Sequence, residues 1–131
     1  MSSDSRGTES NRVDPNTASG EDRKAPLALA TSVARGCEVL AKRWTPQLLV
    51  LLLQGPARFT ALVTAVPGLS RRVMTERLRE LQDARLVERI VDPGPPITST
   101  YRLTAEGEQL RPALEELCAW AERWDRALTA S

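Results

Sequence analysis

Apolar residues along this chain fall into two kinds of spacing, helical over most of its length and alternating in two short stretches. Ala30, Val33, Ala34, Cys37 and Leu40 recur at three- and four-residue steps, which predicts a helix from about Leu27 to Lys42-Arg43-Trp44. On that face Cys37 reads as a small buried hydrophobe. Thr45 suits an N-cap, and Pro46 the first helical position, where no N–H is needed. Gln47 to Gln54 follows as a short, almost wholly apolar helix that Gly55-Pro56 brings to an end. A third helix opens at Arg58-Phe59-Thr60 and runs through Leu62, Val63 and Val66 to a Pro67-Gly68 turn. Ser70 caps a fourth, reaching about Ala84. Met74, Leu78 and Leu81 share one of its faces; Arg72, Thr75, Glu76 and Arg79 lie roughly opposite.

Val87 to Val91 and Ser99 to Leu103 read as the two strands of a β-hairpin, with Asp92-Pro93-Gly94-Pro95-Pro96 as its stiff tip. Thr104 can cap a last helix that has Glu106 in its first turn. Leu110, Leu114, Leu117, Ala121, Trp124 and Leu128 then follow at heptad steps, with Trp120 beside them, on one predicted helix of 24 residues. Such a stripe exceeds what a small domain can cover, so a second copy of the chain is expected against it. The implied assembly is a homodimer.

At 131 residues, 41% of them hydrophobic and 27% charged, the chain has an ordinary globular composition. Residues 1–24 contain only Met1, Val13 and Ala18 from the apolar set and are expected to be a disordered tail before one domain spanning residues 25–131. The longest apolar run, Leu48 to Leu53, is six residues, against the roughly 18 that a membrane span needs. The polar start carries no secretion-signal pattern. Two cysteines with no such signal suggest a reducing, cytoplasmic setting.

Chemistry is scarce. Histidine is absent, which removes the commonest general base and the usual zinc ligand. Cys37 and Cys118 stand 81 positions apart, in no metal-knuckle or CxxC arrangement. With no nucleophile–base pair or phosphate loop either, an enzyme is not expected, nor a cofactor. The net charge of +1 conceals a partition. Residues 25–103 hold eleven basic and six acidic groups, whereas residues 104–131 hold three and six. A basic middle suggests a polyanionic partner.

Helix, helix, helix-turn-helix, hairpin, long helix is the order of a winged helix-turn-helix, mainly α with a small β wing. The chain also resembles the HxlR-type regulators, which are MarR-like. The resemblance rests on Lys42-Arg43-Trp44-Thr45, Gly55-Pro56-Ala57-Arg58-Phe59, Pro67-Gly68-Leu69-Ser70, Val73-Met74-Thr75-Glu76-Arg77-Leu78-Arg79-Glu80-Leu81, Leu86-Val87-Glu88-Arg89, Tyr101-Arg102-Leu103-Thr104, Gly107 and Ala119-Trp120. It implies a homodimeric DNA-binding transcription regulator, dimerised through its N- and C-terminal helices, with its recognition helix at Ser70 to about Ala84. The family is also known for sensing oxidants or electrophiles through a cysteine near the start of the first helix. Here that place falls near Ala30 or Thr31, and neither is cysteine. The wing tip likewise has Ile97-Thr98-Ser99 where a basic residue is often seen.

Arginine can bridge O6 and N7 of guanine, threonine can meet a thymine methyl or a phosphate, and helix-start amides can meet a phosphate. Ser70, Arg71, Arg72, Thr75 and Arg79 are therefore the candidate DNA contacts, with Arg58 as a phosphate contact. Arg77 and Glu80 lie off the centre of that face and read as structural. Leu110, Leu114, Leu117, Trp120, Ala121, Trp124 and Leu128 are the candidate dimer interface. Trp44, Trp120 and Trp124 are either core and interface residues or the lining of an effector pocket. Cys37 and Cys118 are either structural or the thiols of a redox switch. The expected activity is repression from a palindromic operator, with release by a small molecule or a redox signal. The alternative is a winged-helix module that binds a protein partner without specific DNA binding.

Overall fold

The computed structural model describes residues 25–130, so the expected tail at residues 1–24 lies outside the described residues. In chain order the elements are α1 (Thr31–Leu40), α2 (Thr45–Leu52), β1 (Ala57–Arg58), α3 (Phe59–Ala65), α4 (Arg71–Asp83), β2 (Val87–Asp92), β3 (Thr98–Leu103), α5 (Ala105–Glu108) and α6 (Arg111–Thr129). None of the helices is long and apolar enough to cross a membrane.

Two compact units divide between Arg35 and Gly36, within α1. The described part of the first, residues 25–35, leads without regular structure into the first turn of α1, and Leu27 and Leu29 are exposed. The helix starts at Thr31, later than the spacing predicted, with its first backbone bond running from the Ala34 N–H to the Ala30 carbonyl.

In the second unit the core is an interlock of leucines. Leu48, Leu49 and Leu52 of α2 meet Leu62 of α3, Met74, Leu78 and Leu81 of α4, Val87 and Leu103 of the sheet, and Leu114 of α6. Each such side chain stabilises the fold by about 1.5–3 kcal/mol through its removal from water. The fourth helix follows the expected pattern, since its three predicted inward residues are its three buried ones. Ser70 caps it as expected, its Oγ accepting from the Val73 N–H at 3.1 Å.

The sheet is antiparallel with order β1-β3-β2. Val87 pairs with Leu103 at the base of the hairpin and Asp92 with Thr98 near its tip, where the Asp92 carboxylate accepts from the Gly94 N–H. Strand β1 was not expected. Two residues are too few to show a period, and Ala57-Arg58 becomes a strand by pairing with Tyr101 and Thr100.

Three expectations need correction. Thr45 is not the cap of α2: it lies inside the helix, 2% exposed, and Trp44 is the capping residue, in the left-handed conformation at φ 79°. The last helix is not continuous. Thr104 caps α5, its Oγ1 accepting from the Gly107 N–H at 3.0 Å, and a new helix starts at Arg111. Pro112 supplies the reason, because inside one helix it would lack the N–H for the Glu108 carbonyl and collide with it. Arg111 spans the break, donating to Glu108 at 2.9 Å and to the Leu53 carbonyl at 3.1 Å. Its guanidinium pKa is raised, chiefly by the hydrogen bonding with Glu108. Finally, Cys37 is exposed rather than buried, as α1 buries none of its residues.

Candidate nucleic-acid interface

Helices α3 and α4 are joined through Val66 to Ser70, with Gly68 at φ 92° in the turn. Burial of Leu62, Val66 and Leu69 on one side and Met74, Leu78 and Leu81 on the other fixes how α4 faces. Its opposite side is left to solvent, and Arg71, Arg72, Thr75 and Arg79 are all exposed there. Positions 72, 75 and 79 are three and four apart, so they form one stripe.

Each side chain has its own setting. The Arg71 guanidinium lies 4.9 Å over the Phe59 ring, which orients it without using its N–H donors. The Thr75 hydroxyl donates to the Arg71 carbonyl at 2.9 Å, so its proton is engaged and its methyl and lone pairs remain. Arg72 pairs with Glu76 at 2.9 Å, both well exposed. An exposed pair of this kind contributes under about 1 kcal/mol, so Arg72 can exchange Glu76 for another partner at little cost. Arg58 caps α3 at the end of β1 and is exposed.

Arg77 and Glu80 are structural, as their position on the helix suggested. Arg77 donates from Nε to the Arg43 carbonyl at 2.8 Å and pairs with Glu80 at 3.3 Å, and Glu80 also takes Lys42 at 3.4 Å. Sequence reasoning missed two features. One is the Phe59–Arg71 stack, which only the docking of α3 creates. The other is Arg89, exposed on β2, whose Nε donates to the Ser99 hydroxyl at 3.0 Å. Its signal was present: Arg89 lies two residues after buried Val87, beyond the reach of the core.

Along α6 the apolar stripe divides. Leu114 is 3% exposed and belongs to the protomer's own core, and Leu110 is half-buried against it, so these two expected interface residues are largely occupied within the chain. Trp120, Trp124 and Leu128 are 48%, 51% and 56% exposed, with Leu117 also exposed. The two indoles stack on each other, 5.3 Å apart and within 10° of parallel. Ala121 and Cys118 are half-buried. They line an open groove of about 610 Å³ with Leu117, with Val50 and Leu51 of α2, with Ala65 of α3 and with Trp44 of the turn before α2. Of the three tryptophans proposed for a pocket, only Trp44 lines this one.

A helix-turn-helix with an antiparallel hairpin beside it and a long helix after it is a winged helix-turn-helix. The chain matches the family described as HxlR-like helix-turn-helix over residues 39–128. It is 40% identical over 90 residues to the uncharacterized HTH-type transcriptional regulator YvaP of Bacillus subtilis, covering 69% of this chain and 83% of that one. It is 36% identical over 86 residues to the HTH-type transcriptional regulator YodB of the same species, covering 66% and 77%. A crystal structure of a MarR-family regulator from Enterococcus faecalis superposes with a TM-score of 0.66 at 34% identity, over 77% of this chain and 92% of that one. The protein therefore belongs to the HxlR-like family and is a transcriptional regulator of the helix-turn-helix type.

Proposed function

We propose that the protein is a dimeric repressor that places two α4 helices in successive major grooves of a palindromic operator. The observation that carries this reading is the exposed stripe of Arg72, Thr75 and Arg79, roughly opposite the buried Met74, Leu78 and Leu81. Arg72 and Arg79 read bases, Arg71 and Ser70 seat the helix start on the backbone, and Arg58 and Arg89 meet flanking phosphates. Leu117, Trp120, Trp124 and Leu128 pack against the second copy, because four exposed apolar side chains on one helix favour a partner over water. The protein works in the cytoplasm.

A signal releases it. YodB has been solved in reduced, diamide-treated and quinone-bound forms, which supports a thiol-directed signal for this chain through Cys37 or Cys118. The groove beside Cys118 supports a small-molecule signal equally well.

Alanine substitution tests the operator reading. Arg72→Ala and Arg79→Ala lose discrimination between operator and scrambled duplex, whereas Arg58→Ala weakens both alike and lowers the slope of log K against log salt by about one. Undiminished discrimination in both recognition-helix variants contradicts it.

A further inference from the structure

The arginines of α4 are held in different ways. Arg72 and Arg77 are each paired with an acid, Glu76 at 2.9 Å and Glu80 at 3.3 Å. Arg71 is held instead by an aromatic face. Its guanidinium carbon lies 4.9 Å from the centroid of the Phe59 ring, within reach of a cation–π contact. Among the described residues, no acid forms an ion pair with it.

Both ends of this arrangement are anchored. Phe59 opens α3, is half-buried and packs against the leucine core, so its ring has a fixed place. Arg71 is the first residue of α4, where the Ser70 Oγ accepts from the Val73 N–H and the Arg71 carbonyl accepts from the Thr75 hydroxyl. The backbone that carries Arg71 is thereby held, and the ring holds the far end of the side chain. A free arginine loses rotamer freedom when it grips a phosphate, a cost that falls on binding. Here part of that freedom is already lost on folding. The ring also uses none of the guanidinium N–H donors, so no acid has to be displaced before they meet a phosphate oxygen. Arg72, by contrast, must first leave Glu76.

We infer that Phe59 is a positioning residue for DNA binding: its ring holds the Arg71 guanidinium, before any duplex arrives, ready to take a backbone phosphate. The inference rests on the placement of Arg71 at the DNA backbone proposed above and supplies the residue that prepares it. Phe59 acts through Arg71. Because phosphate contacts carry no sequence information, Phe59 sets the affinity for any duplex rather than the choice among sequences.

The probe is a mixed-sequence duplex, titrated with the full-length protein by fluorescence anisotropy at about 50 mM salt, where phosphate contacts dominate. Phe59→Leu keeps an apolar side chain against the core and removes the ring. Its expected effect is a loss of affinity of about two- to fivefold, the scale of an exposed cation–π contact expressed as a ratio. Phe59→Tyr retains the wild-type affinity. Arg71→Met lowers the slope of log K against log salt by about one, and in that background Phe59→Leu has no further effect. Phe59 is the only phenylalanine in the chain, so global incorporation of fluorinated phenylalanines alters this ring alone and nearly preserves its shape. Affinity then falls with each added fluorine, as the negative face of the ring is drained, and Arg71→Met abolishes the trend. That series decides the matter where Phe59→Leu does not fold. Full affinity in a folded Phe59→Leu, an equal loss in both backgrounds, or a flat fluorine series overturns the inference. Absence of duplex binding by the wild-type protein overturns it together with the operator reading. The probe carries no operator, so failure to find one leaves the result standing, and additive effects here leave the operator reading standing.

Discussion

Gly107 lies against the carbonyl of Leu86, so close that a Cβ on residue 107 would overlap the oxygen. The same carbonyl accepts from the Thr104 N–H at 3.0 Å, and Gly107 donates its own N–H to the Thr104 hydroxyl. Helix α5 is thereby locked onto the residue that leads from α4 into the hairpin. Gly107→Ala must push the two backbones apart, and its expected cost is about 1–3 kcal/mol, read as a lower urea midpoint with unchanged slope. An unchanged midpoint would show that this junction yields without cost.

Arg85 offers the opposite test. It occupies the C′ position of α4 at φ 64°, with the Leu86 N–H bonded to the Leu81 carbonyl and its own N–H to the Gln82 carbonyl. That is the Schellman arrangement, in which glycine is usual. Arg85→Gly relieves the left-handed strain and is expected to raise stability by up to about 1 kcal/mol. A loss of stability in the same denaturation experiment would mean that the arginine side chain holds the turn.

The division of the α6 stripe lets folding and the proposed assembly be tested separately. Leu114 is in the core, so Leu114→Ala lowers stability by about 2–5 kcal/mol. Trp124→Glu sits outside it and converts dimer to monomer in light scattering, with the secondary structure retained in circular dichroism. A Trp124→Glu protein that remains dimeric would place the interface elsewhere.

The cysteines differ in access. Cys37 is exposed on α1, and Cys118 is half-buried at the groove wall. Maleimide should label Cys37 faster than Cys118 in the native protein. Equal rates for both thiols would contradict these placements.

Much of this architecture was legible in the residue pattern, and the failures are local. Met74, Leu78 and Leu81 identified the buried face of α4, and Ser70 and Thr104 identified caps, because periodicity and capping act within a few residues. Trp44 was passed over as the cap of α2 because a non-glycine residue at positive φ is not written in composition. The break at Pro112 was legible in principle, since proline cannot sit inside a helix without displacing a turn, but the heptad spacing ran straight through it. Which leucines of α6 face inward depends on where that helix docks, and spacing alone does not distinguish Leu114 from Leu128. For the site, the arginine stripe was readable, whereas the Phe59 stack under Arg71 and the Arg43–Arg77 link join residues far apart in the chain.

Specific recognition of a two-fold DNA site by α4 is what the proposed function requires. The direct measurement is selection of bound fragments from sheared genomic DNA of the source organism by the full-length protein, at roughly physiological salt so that purely electrostatic binding is suppressed. The expected result is enrichment of a palindrome whose half-sites lie about 10–10.5 base pairs apart, one turn of the double helix, or a multiple of it. No enriched sequence, from protein shown to be folded and dimeric, would contradict it and turn attention to the exposed Trp120 and Trp124 as a protein-binding surface.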